Sequence, residues 1–465
     1  MTVQVLVVGG GITGLVAADR LVERLGGDAV LLVESEPRLG GKIQTEHQHG
    51  FVLEGGPDCF LAAKPGGMAL CRRLGIADRV VGTNPDLRRS FVKRQGRLHP
   101  LPDGLTGLVP SRIAPLLATR ILSLKGRLRA GLELLVPRRR QGEPESVAAF
   151  ARRRFGSEAW NYLIEPLLSG IYAGSGDQLS LDATFPQLAA MEARHGSLLR
   201  SMLRARPAVP GRSTSPTGFV TLPGGLGELV EQLTARLPAQ SIRLGVRALW
   251  VAGIPGGPYR VALSDGAEVD AESVVVTTPA FATGEMLASL DPALAAVLNE
   301  IPFVSTATVS LAFPRSAVPR PLQGYGYLSP LVEGGQIVAC TWTSNKFPGR
   351  VPSDSVLIRA FVGRAGQRSV VDEPDDLLIA LVRDELAMLH GIRAHPILTW
   401  VARWPRGMPQ YTLGHEARLT RIEGRLAEWP GLLLAGSSYR GVGIPDCISS
   451  GWAAADAALA MVVAT

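Results

Sequence analysis

The hydrophobic pattern at the start of the chain changes period once and then changes back. In "VQVLVVGGGITGLVAADRLVER", residues 3–8 form a β-branched apolar run, a glycine cluster interrupts it, and apolar positions then recur at helical spacing. A second apolar run, "AVLLVESE", stops just past Glu34. This predicts a strand, a tight turn, a helix and a second buried strand, the order of a parallel βαβ unit. Related signals return far down the chain. "LPGGLGELVEQLTARL" predicts a helix ahead of further strands, "AESVVVTTP" returns to a sheet, and "GLLLAG" is a buried strand before a last helix entered at Pro445. The expected fold class is α/β, with a main domain assembled from discontinuous segments.

The glycines carry the first chemistry. Gly9, Gly11 and Gly14 stand in G-x-G-x-x-G register, with Ile12 and Thr13 between the last two, and Glu34 lies twenty residues beyond Gly14. Glycine-rich turns often serve packing alone, but strand, turn, helix, strand and terminal acid together are a dinucleotide fingerprint of the Rossmann type. Gly9 permits the tight turn, Gly11 lets the backbone approach a pyrophosphate, and Gly14 lets helix and strand pack. Glu34 would accept hydrogen bonds from an adenosine ribose.

NAD and FAD both use this unit, so the next segments decide. "PRLGGKIQT" supplies a second glycine pair, Gly40 and Gly41, between Arg38 and Lys42, suited to the longer diphosphate and ribityl chain of FAD. "LEGGPDCF" adds Gly55, Gly56 and Pro57, a rigid turn against which a flat ring could lie. Each segment alone reads equally as an ordinary glycine loop; in this order they favour FAD. At the far end Gly436 closes a strand, and Gly443, Ile444, Pro445 and Asp446 begin a helix whose free N–H groups and positive dipole end would face the same crevice.

Composition narrows the remaining classes. A chain of 465 residues, 46% hydrophobic, can bury a large core and divide into two or three domains. The net charge of +7 comes with only 19% charged and 6% aromatic residues, which disfavours nucleic acid and favours acidic ligands or an anionic membrane surface. Cys59, Cys71, Cys340 and Cys447 show neither CxxC nor metal-ligand spacing, so free thiols in a reducing cytoplasm are expected. No basic leader precedes the first strand, and no unbroken apolar run reaches the 18 or so residues that would span a bilayer; Asp456 interrupts the last helix. The histidines lack ligand spacing, His415 reads as a structural partner in a turn, and the paired Asp375 and Asp376 read as a helix start. No metal and no catalytic side chain are expected, as a flavin that takes the hydride itself permits. With no histidine or cysteine well placed for attachment, FAD should be noncovalent.

Five stretches carry a family resemblance. "ESEPRLGGKIQT", "EGGPDCF", "SGIYAGSGDQLSLDATFPQL", "WPRGMPQYTLGH" and "GSSYRGVGIPDCISSG" resemble successive signatures of the FAD-dependent porphyrinogen oxidases of haem biosynthesis, the protoporphyrinogen and coproporphyrinogen III oxidases of the amine-oxidase-like flavoprotein superfamily. The third and fourth lie outside the generic flavin fingerprint. The resemblance implies a Rossmann-type FAD-binding domain from residues 1–83, 216–284 and 399–465, an α+β substrate-binding domain at 285–398, and a helical, membrane-associating segment at 84–215. It implies flavin contacts at Gly9, Gly11, Gly14, Glu34, Arg38, Gly41, Lys42, Gly56, Gly443, Ile444 and Pro445, a backbone contact to adenine at Ala248, and Trp404 near the flavin, where a plain core aromatic is the alternative.

The activity implied is a six-electron oxidation of a porphyrinogen, in three two-electron steps, with O2 as acceptor and peroxide as product. Lys64, eight residues after Gly56, could reach a substrate propionate or simply face solvent. Eukaryotic-type protoporphyrinogen oxidases place a propionate-binding arginine in the stretch corresponding to "LPDGLTGL", where this chain has Thr106. That departure leaves room for coproporphyrinogen III as the favoured substrate, with protoporphyrinogen IX a close second. Residues 112–140 interleave apolar and basic positions, which suits either a solvated basic helix or peripheral contact with the inner face of the cell membrane. A haem-pathway enzyme is a further expected partner. An amine oxidase, a carotenoid-desaturase-like enzyme and a flavin-bearing binding protein are the alternatives.

Overall fold

The computed structural model describes residues 1–102, 105–106, 109–110, 118–140, 142–204 and 218–463, with 105–106, 109–110 and 368–369 by backbone alone. Its first sheet is the predicted βαβ unit extended from later parts of the chain. Strand β1, Thr2–Val8, runs parallel to β2, Val30–Glu34, on one side and to the long strand Glu268–Val276 on the other. Ile242–Leu244 extends the sheet beyond β2, Leu432–Leu434 pairs parallel with Glu268–Val276, and the antiparallel strands Ala248–Gly253 and Tyr259–Leu263 complete it. Every residue of β2 is buried, which explains its unbroken apolar run: helices and strands cover both faces of such a strand.

Helix α1, Ile12–Leu25, buries Leu15, Val16, Ala18 and Leu21 against this sheet. Gly26, at φ 86°, stops it, and its N–H closes onto Val22 O at 2.9 Å. The last helix, Ile444–Val463, is twenty residues long, and by length and composition it is apolar enough to cross a membrane. Its small residues nevertheless serve packing. A Cβ on Gly451 would overlap Thr13 O of α1, Ala454, Ala455 and Ala458 are buried, and Asp456 pairs with Arg20 of the same helix at 3.0 Å.

A second seven-stranded sheet has the order Leu398–Pro409, Phe303–Pro314, Ser355–Val362, Ile337–Trp342, Gly326–Leu328, Ser90–Arg94 and Arg97–Pro100. It thus draws strands from residues 84–215 and 399–465 as well as from 285–398. Helix Asp375–His390 covers it through Leu378, Val382 and Leu386, with Asp375 and Asp376 in its first turn.

Between residues 118 and 204 the structure is helical, around Phe150, Trp160, Leu163 and Leu168. Of the stretch 112–140, residues 112–117 lie outside the described ones. Within the remainder, Leu124–Gly131 is a helix capped by Ser123, whose hydroxyl accepts from Gly126 N–H at 3.1 Å. Arg129 does not extend a basic surface there: its guanidinium donates to the last carbonyls of helix Val147–Phe155. Leu124, Leu128, Leu132 and Leu135 face outward, each at least half exposed.

Candidate functional site

Three glycine turns meet over the C-terminal edge of the first sheet. The first leaves β1 at Gly9, whose φ of 104° is left-handed and whose N–H donates to Val33 O at 2.8 Å. A Cβ on Gly14 would overlap Gly9 O, so the helix can begin this close to the strand only with glycine there. A Cβ on Gly11, by contrast, would meet nothing within 4 Å. The second turn is stitched to the first: Gly40 N–H donates to Gly10 O at 2.8 Å, and Gly11 bridges Gly40.

Glu34 ties β2 to both. One carboxylate oxygen accepts from Gly10 N–H at 2.6 Å, and the other from Glu36 N–H at 2.8 Å and the Ser35 hydroxyl at 3.1 Å. The strand entering Ala248 passes directly beside it, with Val246 N–H donating to Glu34 O at 2.9 Å and Gly245 N–H to Glu36 O at 3.0 Å. Arg38 differs from expectation. Its guanidinium donates to Leu39 O, Ile43 O and Gly41 O, so it shapes the second turn rather than standing free toward an anion. Lys42 is the cation left over: among the described residues it makes no hydrogen bond or ion pair, and burial lowers its pKa.

The far end of the chain closes the cradle. Gly436, at φ 113°, donates its N–H to Ser450 Oγ at 3.0 Å, and Asp446 folds back over Gly441 and Gly443 at the start of the last helix. Pro445 abuts Gly66, where a Cβ would overlap Pro445 O. Lys64 precedes helix Pro65–Arg73, and its ammonium pairs with Asp446 at 2.5 Å, because the two helix starts face each other. Thr106 lies in the strand Leu105–Thr106; its side chain lies outside the described residues.

The third turn, Gly55–Pro57, is clamped from the second sheet. Gly55 O accepts from Trp404 Nε1–H at 2.8 Å, from the Thr308 hydroxyl at 2.9 Å and from Arg359 at 3.1 Å. Arg359 also donates to Gly56 O, and a Cβ on Gly56 would overlap Lys42 O. Next along, Asp58 receives the Lys346 ammonium at 2.9 and 3.1 Å. Burial opposes the Asp58 charge, but Lys346 and Arg359 outweigh it and hold its carboxyl well below the usual range. The motif pointed to this turn but not to the residues that fix it. Arg359 was visible in principle as the lone charge in the apolar run "SVLIRAFV"; Thr308 and Lys346 carried no such signal.

His415 is the structural partner expected: Nε2 bonds Tyr439 O at 2.8 Å and the ring stacks on Tyr411 at 4.3 Å. All four cysteines are free. No cluster of histidine, cysteine or carboxylate suited to a metal occurs among the described residues.

A long dinucleotide fits what these residues leave open. There is clear space over Gly11, a partnerless ammonium at Lys42, and two helix starts, at Ile12 and Ile444, converging on the stitched turns. Such a site on such a sheet defines a flavin-dependent oxidoreductase.

The profile of the flavin-containing amine oxidoreductase family matches residues 12–459, and the chain belongs to that family. FAD is its cofactor. The chain is similar to a coproporphyrinogen III oxidase of Bacillus subtilis (strain 168), 39% identical with 98% of each chain covered. It is also similar to a chloroplastic protoporphyrinogen oxidase of Oryza sativa subsp. japonica, 30% identical, covering 97% of this chain and 87% of the other. A solved structure described as a candidate protoporphyrinogen oxidase, from Exiguobacterium sp. 255-15, superposes with a TM-score of 0.86 at 33% identity, covering 100% of this chain and 99% of that one.

Proposed function

We propose that this enzyme carries out the FAD-dependent oxidation of a porphyrinogen to the porphyrin in haem biosynthesis, with coproporphyrinogen III preferred over protoporphyrinogen IX and O2 as acceptor. The observation that carries the reading is the near full-length likeness to enzymes named for this reaction: relatives named for coproporphyrinogen III oxidation are 32–39% identical and the chloroplastic protoporphyrinogen oxidases 28–30%, beside the 33% of the Exiguobacterium structure. FAD held here would supply a two-electron acceptor, needed three times per porphyrinogen, with O2 taking up the electrons as peroxide.

The chain's own part is to bind and orient. The first two turns and the last helix would hold the dinucleotide at Gly9, Gly11, Gly14, Gly41, Gly443 and Ile444, with Glu34 for the ribose and Ala248 beside the adenine. Lys42 offsets negative charge on the phosphates or the ring. Gly55–Pro57 carries the ring, with Trp404 fixing the turn beneath it. Burial pushes the Cys447 thiol up to about 11, which leaves it a poor nucleophile and supports noncovalent attachment. Lys64, held by Asp446, keeps two N–H groups for a substrate propionate; the outward leucines of 124–135 support shallow contact with a membrane surface.

The test is kcat/KM on both porphyrinogens, read by porphyrin fluorescence with and without O2. Fluorescent product only with O2, and faster on coproporphyrinogen III, is expected. Faster turnover of protoporphyrinogen IX rejects the preference, and no porphyrin from either rejects the function.

A further inference from the structure

Behind the third turn lies a buried group of charges that binding of the dinucleotide does not use. Arg359 is 2% exposed, and its Nε and one terminal nitrogen have no hydrogen-bond partner among the described residues. Arg350 is 1% exposed; its Nη1 lies 3.4 Å from Glu54 as an ion pair without a formed hydrogen bond, and its Nε has no hydrogen-bond partner among the described residues. Lys346 pairs with Asp58 at 2.9 Å. Three cations therefore stand against two carboxylates. Burial also raises the pKa of Glu54, which weakens its negative charge further, and pushes the neighbouring Cys59 thiol up to about 12, so it adds none. An excess of buried positive charge is costly unless an anion offsets it.

The place of this excess says which anion. Arg359 reaches the carbonyls of Gly55 and Gly56, on the turn where the flavin ring is placed in the reading above. A flavin gains negative charge on two-electron reduction. We propose that Arg359 and Lys346 set the oxidising power of the bound flavin by holding the charge it gains when reduced, with Asp58 as the counterweight that limits their effect. The proposal rests on FAD lying against Gly55–Pro57, and not on which substrate is oxidised.

The experiment uses holoenzyme variants without any porphyrinogen, at pH 8, where Asp58 stays ionised beside Arg359. Two readouts are taken: the midpoint potential of the bound flavin, and the dissociation constant of sulfite, which adds to flavin as an anion and so reports the same charge. A unit charge within ~12 Å at an effective dielectric of ~20 changes such an equilibrium about ten-fold, or ~30 mV for a two-electron couple. Lys346→Met and Arg359→Met should each lower the potential and weaken sulfite binding about ten-fold. Asp58→Asn should move both readouts the opposite way, and Arg359→Lys should stay near wild type. Loss of packing would not reverse sign between Lys346→Met and Asp58→Asn. Shifts in the same direction for that pair, or no shift in either, overturn the proposal even if Arg359→Met fails to hold flavin. Wild-type protein that takes up no FAD overturns both the proposal and the reading beneath it; failure to oxidise a porphyrinogen touches only the function.

Discussion

Two arginines, both out of reach of solvent, are used in opposite ways. Arg154 in the helical region is 0% exposed and every nitrogen has a partner: Nε with Glu192 at 2.9 Å, one terminal nitrogen with Glu133 at 3.1 Å and Val136 O at 3.0 Å, the other again with Glu192. Glu133 in turn accepts from Leu198 N–H and Leu199 N–H, tying the start of the next helix to the same cluster. Arg359 behind the third turn is equally buried and keeps two nitrogens unpartnered. A charge whose donors are exhausted by its own protein fixes structure. One with donors left over is free to respond to a charge bound nearby.

Breaking the closed cluster should give the largest effect. Arg154→Met leaves Glu133 buried without its cation and Glu192 with Arg153 alone, a loss of about 3–5 kcal/mol by the usual cost of breaking a buried pair. Urea unfolding would show it, with little change in flavin content of the folded fraction. At the open site the balance reverses. Gly11→Val places a side chain in clear space, so the flavin-free protein should melt within a few degrees of wild type, while FAD binding weakens by two orders of magnitude or more, on the order of 3 kcal/mol. A Gly11→Val protein that purifies with a full complement of FAD would remove the cradle from this part of the chain.

Lys42→Met sharpens the same contrast more gently. Removing a cation with no protein partner should leave the flavin-free protein at least as stable, and weaken FAD about ten-fold, roughly 1.4 kcal/mol, by isothermal titration. Equal destabilisation of the flavin-free form would make Lys42 structural. The smallest effect is expected at Lys64, whose side chain is 47% exposed: Lys64→Ala should cost under about 1 kcal/mol of stability as a surface pair. A change confined to kcat/KM would assign it to the substrate.

Legibility in the sequence followed the range of the forces involved. The βαβ unit, its three glycines and Glu34 are local, and period and spacing alone define them. The Gly55–Pro57 turn was legible as a turn, but its clamp is not local: Thr308, Arg359 and Trp404 arrive from residues some 250 to 350 positions away, and no spacing rule joins them. Arg38 and Lys64 show the same limit of the sequence. Composition shows that a cation is present, and only packing shows that Gly41 O and Asp446 have already claimed it.

The meeting of α1 with the last helix also sets a clock. Gly14 is made early, whereas Gly436, Gly443 and the helix packed on Thr13 are made some four hundred residues later. At roughly 5–20 residues per second, synthesis takes on the order of half a minute or more to join them. Through that interval the nascent chain holds half a nucleotide site with its apolar helix face uncovered, in need of a chaperone or of a still unmade neighbour. Where FAD is held by both ends of the chain, its loading follows the synthesis of the last helix.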